Sequence, residues 1–95
     1  MTIHWTREAL GDLRNIVKYI DVRNPQAALR VKQKIMITSR QLKEFPQSGM
    51  AVHRPGMRRL VVSGLPYILI YHVVSNAIYI SAVIDARMER APDLQ

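Results

Sequence analysis

The spacing of apolar residues changes once along this chain, and the change restricts the folds that the chain can adopt. As far as Pro46 the apolar residues recur every three or four positions, which is typical of a helix face. From Arg59 onward they alternate or run together, which is typical of strands. The helical part divides at Asn24-Pro25, because Asn caps free backbone amides and Pro suits the first helical position. The sequence therefore predicts two helices followed by a sheet.

Capping residues and turn signals give the boundaries of the predicted elements. A short strand at Thr2–Trp5 leads into a first helix, Arg7–Asp21, with Thr6 as its cap; a second helix begins at Pro25 and is stopped by Pro46. Further strands are predicted at Arg59–Ser63, Tyr67–Val74 and Ala77–Asp85. Short links make the helices an antiparallel hairpin and pair consecutive strands antiparallel. The predicted order is β-α-α-β-β-β.

These elements predict one α+β domain over residues 1–95, in which an N-terminal helical hairpin packs on an antiparallel sheet of about four strands. In the strand Tyr67–Val74 both alternating faces are apolar, so we expect it inside the sheet. The second helix should bury its apolar positions Val31, Ile35 and Leu42 between hairpin and sheet. Glycine and proline predict a loop at Gln47–Gly56.

Charge and cysteine content limit the function classes. The formal net charge is +7, and between Val22 and Ile84 there are nine Lys or Arg residues against the single acid Glu44. Such a chain is expected to attract polyanions or acidic proteins. It has no cysteine, which excludes disulfides and thiolate metal sites and favours the cytoplasm. Its start lacks an apolar stretch of signal-peptide length, so we expect neither export nor a membrane location.

Four arginines are candidates for binding an anionic target: Arg58, Arg59, Arg87 and Arg90. Arg58 and Arg59 are consecutive in a strand and should point to opposite faces, and all four could form a phosphate or carboxylate clamp or merely a solvated rim. The basic residues of the second helix could form a surface that binds an anionic partner, or they could serve only to keep the protein soluble.

Histidine and tyrosine give weaker signals. His72 could act as an acid–base group, but a lone histidine within a sheet is more often a packing residue. Its distance in sequence from His4 and His53 argues against zinc, and neither metal nor cofactor is predicted. The strand tyrosines Tyr67, Tyr71 and Tyr79 could stack on bases, although sheet packing is their commoner role.

Several phrases together resemble the RelE/ParE toxin superfamily over essentially the whole chain. They are Ala9-Leu10 with Asp12-Leu13, Ile16 to Ile20, Asn24 to Ala28, Leu42 to Pro46 with Gly49, Arg58-Arg59-Leu60, Gly64 to Tyr67 with Ile70-Tyr71, and Arg87 after the last strand. The resemblance implies a toxin co-expressed with an antitoxin protein that wraps and silences it, in a hetero-oligomer.

The superfamily has two modes of action. RelE-like members cut messenger RNA on the ribosome without a metal, and ParE-like members poison DNA gyrase. The nuclease branch usually has an Arg in the central strand, another after the last strand and a Tyr or His near the C-terminus. Here Ile68 takes the first position, Arg87 matches the second and Asp93 falls at the third. Pro66-Tyr67 and the Asn24-Pro25 restart resemble the ParE branch.

The resemblance therefore implies a ParE-like toxin that binds DNA gyrase, with an acidic or amphipathic antitoxin as its partner. The alternative enzyme is a ribosome-dependent, metal-independent mRNA endoribonuclease with a rearranged site built from Arg58, Arg59, His72 and Arg87. A third hypothesis is an inactive module that retains only its antitoxin interface. In the first and third hypotheses no catalytic residue is needed.

Overall fold

The elements of the fold follow the change of periodicity. The computed structural model describes residues 1–88. In chain order they form β1 (Thr2–Trp5), α1 (Arg7–Asp21), α2 (Pro25–Gln41), β2 (Met50–Ala51), β3 (Met57–Val61), β4 (Tyr67–Val74) and β5 (Ala77–Asp85), followed by a 3-10 turn (Ala86–Met88). No helix within these residues has the length and apolar character needed to cross a membrane.

Side-chain caps begin both helices, as predicted. The Thr6 hydroxyl accepts a hydrogen bond from the Ala9 amide, and the Asn24 side chain accepts one from the Ala27 amide, both at 3.1 Å. Each cap satisfies a backbone donor that the first helical turn leaves without a partner. The second helix ends at Gln41, earlier than the predicted stop, because the chain tightens into i to i+3 hydrogen bonds before Pro46.

Within residues 1–88 the sheet has five strands in the order β1-β5-β4-β3-β2, not the predicted four or so, and it is mixed. The added strand, β2, is a two-residue strand inside the predicted loop, too short to produce an alternating pattern. β1 pairs parallel with β5, whereas all other pairs are antiparallel. Parallel pairing needs a long connection, which the intervening hairpin and strands provide.

Both helices lie on one side of the sheet, here called the helix side. The side chains of Tyr67, Leu69 and Tyr71 point to it and join Ile35 of α2 and Leu42, which directly follows α2, in the larger core cluster. Ile68 and Ile70 join Met57 in a smaller cluster on the opposite side, here called the open side. The predicted central position and alternation of β4 are therefore confirmed.

The burial predicted for α2 is confirmed at two of its three positions. Ile35 and Leu42 have no exposed surface, whereas Val31 is half-buried against the same cluster. Two apolar residues that share the spacing, Ile37 and Phe45, are 49% and 62% exposed. The apolar residues of α2 and of the turn that follows it thus exceed what the sheet covers.

A β-bulge in β5 changes which residues face the helices. Ile70 pairs with Ala82 but Tyr71 pairs with Ile80, so Ser81 is the extra residue. As a result Ile80 and Val83 both reach the helix side. Two groups at the start of α1 bind the bulge: Asp12 accepts from the Val83 amide at 3.0 Å, and the Thr6 hydroxyl donates to the Ser81 carbonyl at 3.4 Å.

Candidate functional site

Arg58 is a structural tie between β3 and the segment that follows α2. Its guanidinium donates to the carbonyl of Gly49 at 2.7 Å and to that of Gln47 at 3.4 Å. The side chain is half-buried, and its strand partner Tyr71 lies on the helix side. The group is therefore largely engaged within the chain.

Arg59 points to the other side of the sheet, as the strand period predicts. It pairs in register with Ile70, which belongs to the open-side cluster. Arg87 lies elsewhere, because it follows Asp85, whose partner is Tyr67. Tyr67 is three residues from Ile70, roughly 10 Å along the strand at 3.3 Å per residue. The structure does not bring Arg59 and Arg87 together, and Arg90 lies outside the described residues.

Arg87 forms an ion pair with Asp85 beyond the end of β5. Its Nη2 and Nε donate to the two carboxylate oxygens of Asp85 at 2.8 and 3.0 Å, and its backbone amide donates to the same carboxylate at 2.9 Å. These bonds lower the pKa of Asp85. Burial, with a contribution from the Asp85 charge, raises the pKa of Tyr67. The Arg87 side chain remains well exposed. To bind a partner, its guanidinium would have to share its hydrogen bonds with Asp85 or break them.

His72 lies in a row of ring-bearing side chains that crosses the open side. Its partners in register are Met57 on β3 and Tyr79 on β5, and Tyr79 is in turn the partner of His4 on β1. The rings of His4 and Tyr79 are stacked, with centroids 4.9 Å apart and planes inclined by 18°. The Thr2 hydroxyl lies 3.1 Å from His4 Nε2. His4 and His72 are far apart in the sequence. Because β1 pairs parallel with β5, the two histidines lie on strands that are separated only by β5.

The outer surface of the helical hairpin carries an apolar groove of about 630 Å³ between α1 and α2. A second depression along α2 shares Lys32 and Met36 with it, and the two together are here called the hairpin groove. The floor of the two is apolar, formed by Leu10, Leu13, Val17, Leu29, Met36 and Ile37. Four cations and one acid border them: Arg14, Lys18, Lys32, Arg40 and Asp21. Sequence reasoning missed this groove because it assigned the whole apolar stripe to the core.

A buried tyrosine holds the segment between α2 and β2. The Tyr71 hydroxyl donates to the Pro46 carbonyl at 2.8 Å and accepts from the Gly49 amide at 2.9 Å. A Cβ on Gly49 would lie 2.7 Å from that hydroxyl oxygen and 2.8 Å from the Arg59 carbonyl oxygen. This packing requires glycine at position 49.

Comparison with known proteins assigns the family. A sequence model described as "ParE toxin of type II toxin-antitoxin system, parDE" matches residues 3–90. The chain belongs to the ParE toxin family. It is 36% identical over 87 residues to a protein named "Putative toxin Y4kP" from Sinorhizobium fredii, covering 92% of this chain and 90% of the relative. It also resembles a solved structure described as "Chromosomal ParDE TA system from P. aeruginosa", with a TM-score of 0.80, 27% identity and coverage of 90% of this chain and 95% of the other.

The comparisons confirm the resemblance inferred from the sequence, including the ParE branch. The chain is a ParE-type toxin of a toxin–antitoxin system, and the ParDE match supports an antitoxin partner. In this toxin the position of the nuclease-branch arginine, Ile68, is 2% exposed in the open-side cluster. Asp93, at the position of the C-terminal Tyr or His, lies outside the described residues. Within residues 1–88 no three or more His, Asp or Glu side chains cluster as metal ligands do.

Proposed function

We propose that this toxin arrests growth by binding DNA gyrase, and that its antitoxin neutralises it by laying an acidic amphipathic helix in the hairpin groove. Gyrase is the target that the resemblance to the ParE branch implies. The observation that carries the antitoxin proposal is the groove itself, whose apolar floor is bordered by four cations and one acid.

The exposure of the groove floor supports a partner. Leu10, Leu29 and Ile37 are 41%, 57% and 49% exposed and lie in one apolar patch with a polar rim, and such a patch is typical of a surface that binds a partner. An amphipathic helix buries such a stripe through anchors three or four residues apart, and carboxylates on its flanks would meet the bordering cations. Charge would speed association, while the apolar anchors would give affinity that salt does not screen.

The proposal that the target is gyrase is supported by the residues that stand where an mRNA-cutting toxin would need its catalytic groups. Proton transfer to or from a 2′-hydroxyl needs a positioned acid–base group, and the transition-state charge needs cations directed at it. Ile68 is buried and apolar, Arg58 binds backbone carbonyls, and Arg87 binds Asp85. His72 and Arg58 lie on opposite sides of the sheet, and Arg87 follows Asp85, whose partner Tyr67 is five residues from His72 along β4.

The target is tested by inducing the toxin in cells and following DNA breaks and messenger RNA together, with purified gyrase assayed for supercoiling. We expect broken DNA, intact transcripts and inhibited supercoiling. Folded His72→Ala should keep growth arrest, since no proton transfer depends on that ring, whereas a nuclease would lose about 10² to 10⁴ in rate. Codon-positioned cleavage that disappears in His72→Ala would replace gyrase with the ribosome and its message.

The antitoxin groove is tested with two glutamate substitutions at exposed apolar residues. Leu29→Glu places an anion in the groove, and Val22→Glu, at a residue 79% exposed outside it, is the matched control. Leu29→Glu should weaken the antitoxin complex more than tenfold and abolish rescue of growth, while Val22→Glu should leave both within twofold. The wild-type complex should survive ~0.5 M salt, where charge alone is screened within about 4 Å. Equal affinity of the two variants would place the antitoxin elsewhere.

A further inference from the structure

Phe45 is an exposed aromatic residue on a backbone that the fold holds in place. Its side chain, the only phenylalanine of the chain, is 62% exposed. Its amide donates to the Gln41 carbonyl at 3.1 Å. The backbone of residues 46–49, which follow it, makes two hydrogen bonds with the Tyr71 hydroxyl and accepts two from the Arg58 guanidinium. The fold thus fixes the backbone around a ring that it leaves largely in water.

A cavity of about 660 Å³ lies beside Phe45, between the end of α2 and the outer edge of β3. Val61, which is 58% exposed, also lines it. Apart from Leu60, the remaining lining residues that the structure describes are polar: Thr38, Gln41, Glu44, Ser48 and Ser63. We call the surface formed by these residues the Phe45 face. It combines exposed apolar side chains with a polar rim, which is typical of a surface that binds a partner.

The backbone edge of β3 is uncovered at the Phe45 face. The Val62 amide donates to the Tyr67 carbonyl, so the alternation of an antiparallel ladder points the N–H and C=O of Val61 away from β4. On that outer side β2 reaches only as far as Met50, opposite Arg59, and no other strand within residues 1–88 pairs with β3 there. An uncovered edge beside apolar side chains is a place where another polypeptide can add main-chain hydrogen bonds.

The Phe45 face differs in charge from the chain as a whole. Glu44 is its only charged residue among those that the structure describes, although the chain carries a net charge of +7. Nucleic acid needs cations at its phosphates, and two copies of so basic a chain repel each other. An acidic antitoxin is attracted to the cations of the hairpin groove, which shares no described lining residue with this face. The face therefore suits a different protein, with a surface that is apolar and neutral or basic.

We propose that the Phe45 face is the surface by which the toxin contacts gyrase, with the Phe45 ring as its anchor and Val61 beside it. This inference rests on the proposed function and adds the surface that the target binds. Aromatic side chains are enriched in protein interfaces, and a backbone fixed in advance reduces the entropy lost on binding. Because this face and the hairpin groove have different lining residues, the target and the antitoxin bind separate surfaces of the toxin.

The experiment measures the inhibition of supercoiling by purified gyrase and, in parallel, the affinity for the antitoxin. Phe45→Ala should raise the toxin concentration needed for half-inhibition by about 30-fold, the loss expected when an aromatic anchor is truncated. Tyr19→Ala is the matched control, because Tyr19 is an aromatic residue of the same exposure, 62%, on α1. It should inhibit within twofold of wild type, and both variants should bind the antitoxin as wild type does.

A second pair of variants tests the same face without removing the ring. Val61→Lys places a cation on the Phe45 face, and Val74→Lys, at a residue of β4 that is 54% exposed, is its matched control. Only Val61→Lys should weaken inhibition, by about tenfold or more. Melting curves verify that each variant is folded.

Inhibition by Phe45→Ala and Val61→Lys equal to that of their controls would overturn the proposal. Weaker antitoxin binding in these two variants would assign the face to the antitoxin, and a wild-type dimer that Phe45→Ala dissociates would assign it to a second copy; either result overturns the contact with gyrase. Wild-type toxin that leaves supercoiling unchanged would overturn the proposed target together with this contact. Wild-type inhibition that Phe45→Ala retains would overturn only the contact.

Discussion

The two sides of the sheet differ in how many apolar side chains they bury within residues 1–88. Among residues 1–88 the helix side holds a cluster of eleven buried residues drawn from both helices, from β4 and β5 and from the residues that directly follow α2 and β3, together with half-buried neighbours. The open side holds a cluster of three, Met57, Ile68 and Ile70, beside exposed rings. Most of the hydrophobic free energy of folding therefore comes from the helix side.

The largest expected difference is between matching deletions on the two sides. Ile35→Ala should lower the free energy of unfolding by about 3 to 5 kcal/mol, because Ile35 is completely enclosed and leaves a cavity. Met57→Ala should cost about 2 kcal/mol, since Met57 lies at the margin of the smaller cluster, where neighbours can collapse. Urea unfolding of both variants provides the measurement. Equal costs would mean that the two clusters contribute alike.

A smaller contrast separates two glycines. Gly49→Ala should cost about 1 to 3 kcal/mol, because its Cβ meets the Tyr71 hydroxyl and the backbone carbonyl of Arg59. Gly11→Ala should instead add roughly 0.5 to 1 kcal/mol: it lies inside α1, and the only atom near its Cβ is the end of the Arg14 side chain at 4.0 Å. Thermal melts give the sign directly. A stabilised Gly49→Ala would contradict the close packing around Tyr71.

The smallest effect is expected at the exposed end of the sheet, where Asp85 binds Arg87. The pKa of Asp85 is lower in the folded chain than its ordinary value of 3.8, so the pair stabilises the fold above that pH. The contribution is lost as the pH falls through the lowered pKa. Arg87→Ala should therefore reduce stability slightly at pH 6 and progressively less as the pH falls through the lowered pKa of Asp85, and the Asp85 carboxyl resonance should titrate at higher pH in the variant. An unmoved titration would show that Arg87 does not hold the carboxylate in solution.

Local sequence signals predicted the elements well because they act through neighbours in the chain. Thr6 and Asn24 cap the helices that they were expected to cap, and Ser75-Asn76 joins β4 to β5 as a tight turn. The candidate site was less predictable. Arg58 looked like a ligand-binding cation because sequence does not reveal that its guanidinium binds the Gly49 carbonyl. His4 looked isolated because its stacking partner Tyr79 is remote in sequence and meets it only through a parallel strand pair.

Sequence alone determined the two helices, the central position of β4, the absence of disulfides and the resemblance to a toxin family. These follow from periodicity, composition and short phrases, each readable within a few residues. Tertiary structure decided the fifth strand, the parallel edge, the bulge at Ser81 and the sides to which His4, Val83 and the arginines point. The side on which a strand residue lies depends on register, and an extra residue reverses it for every residue beyond. In β5 the bulge that sets the register is bound by Asp12 and Thr6, some seventy residues earlier in the chain.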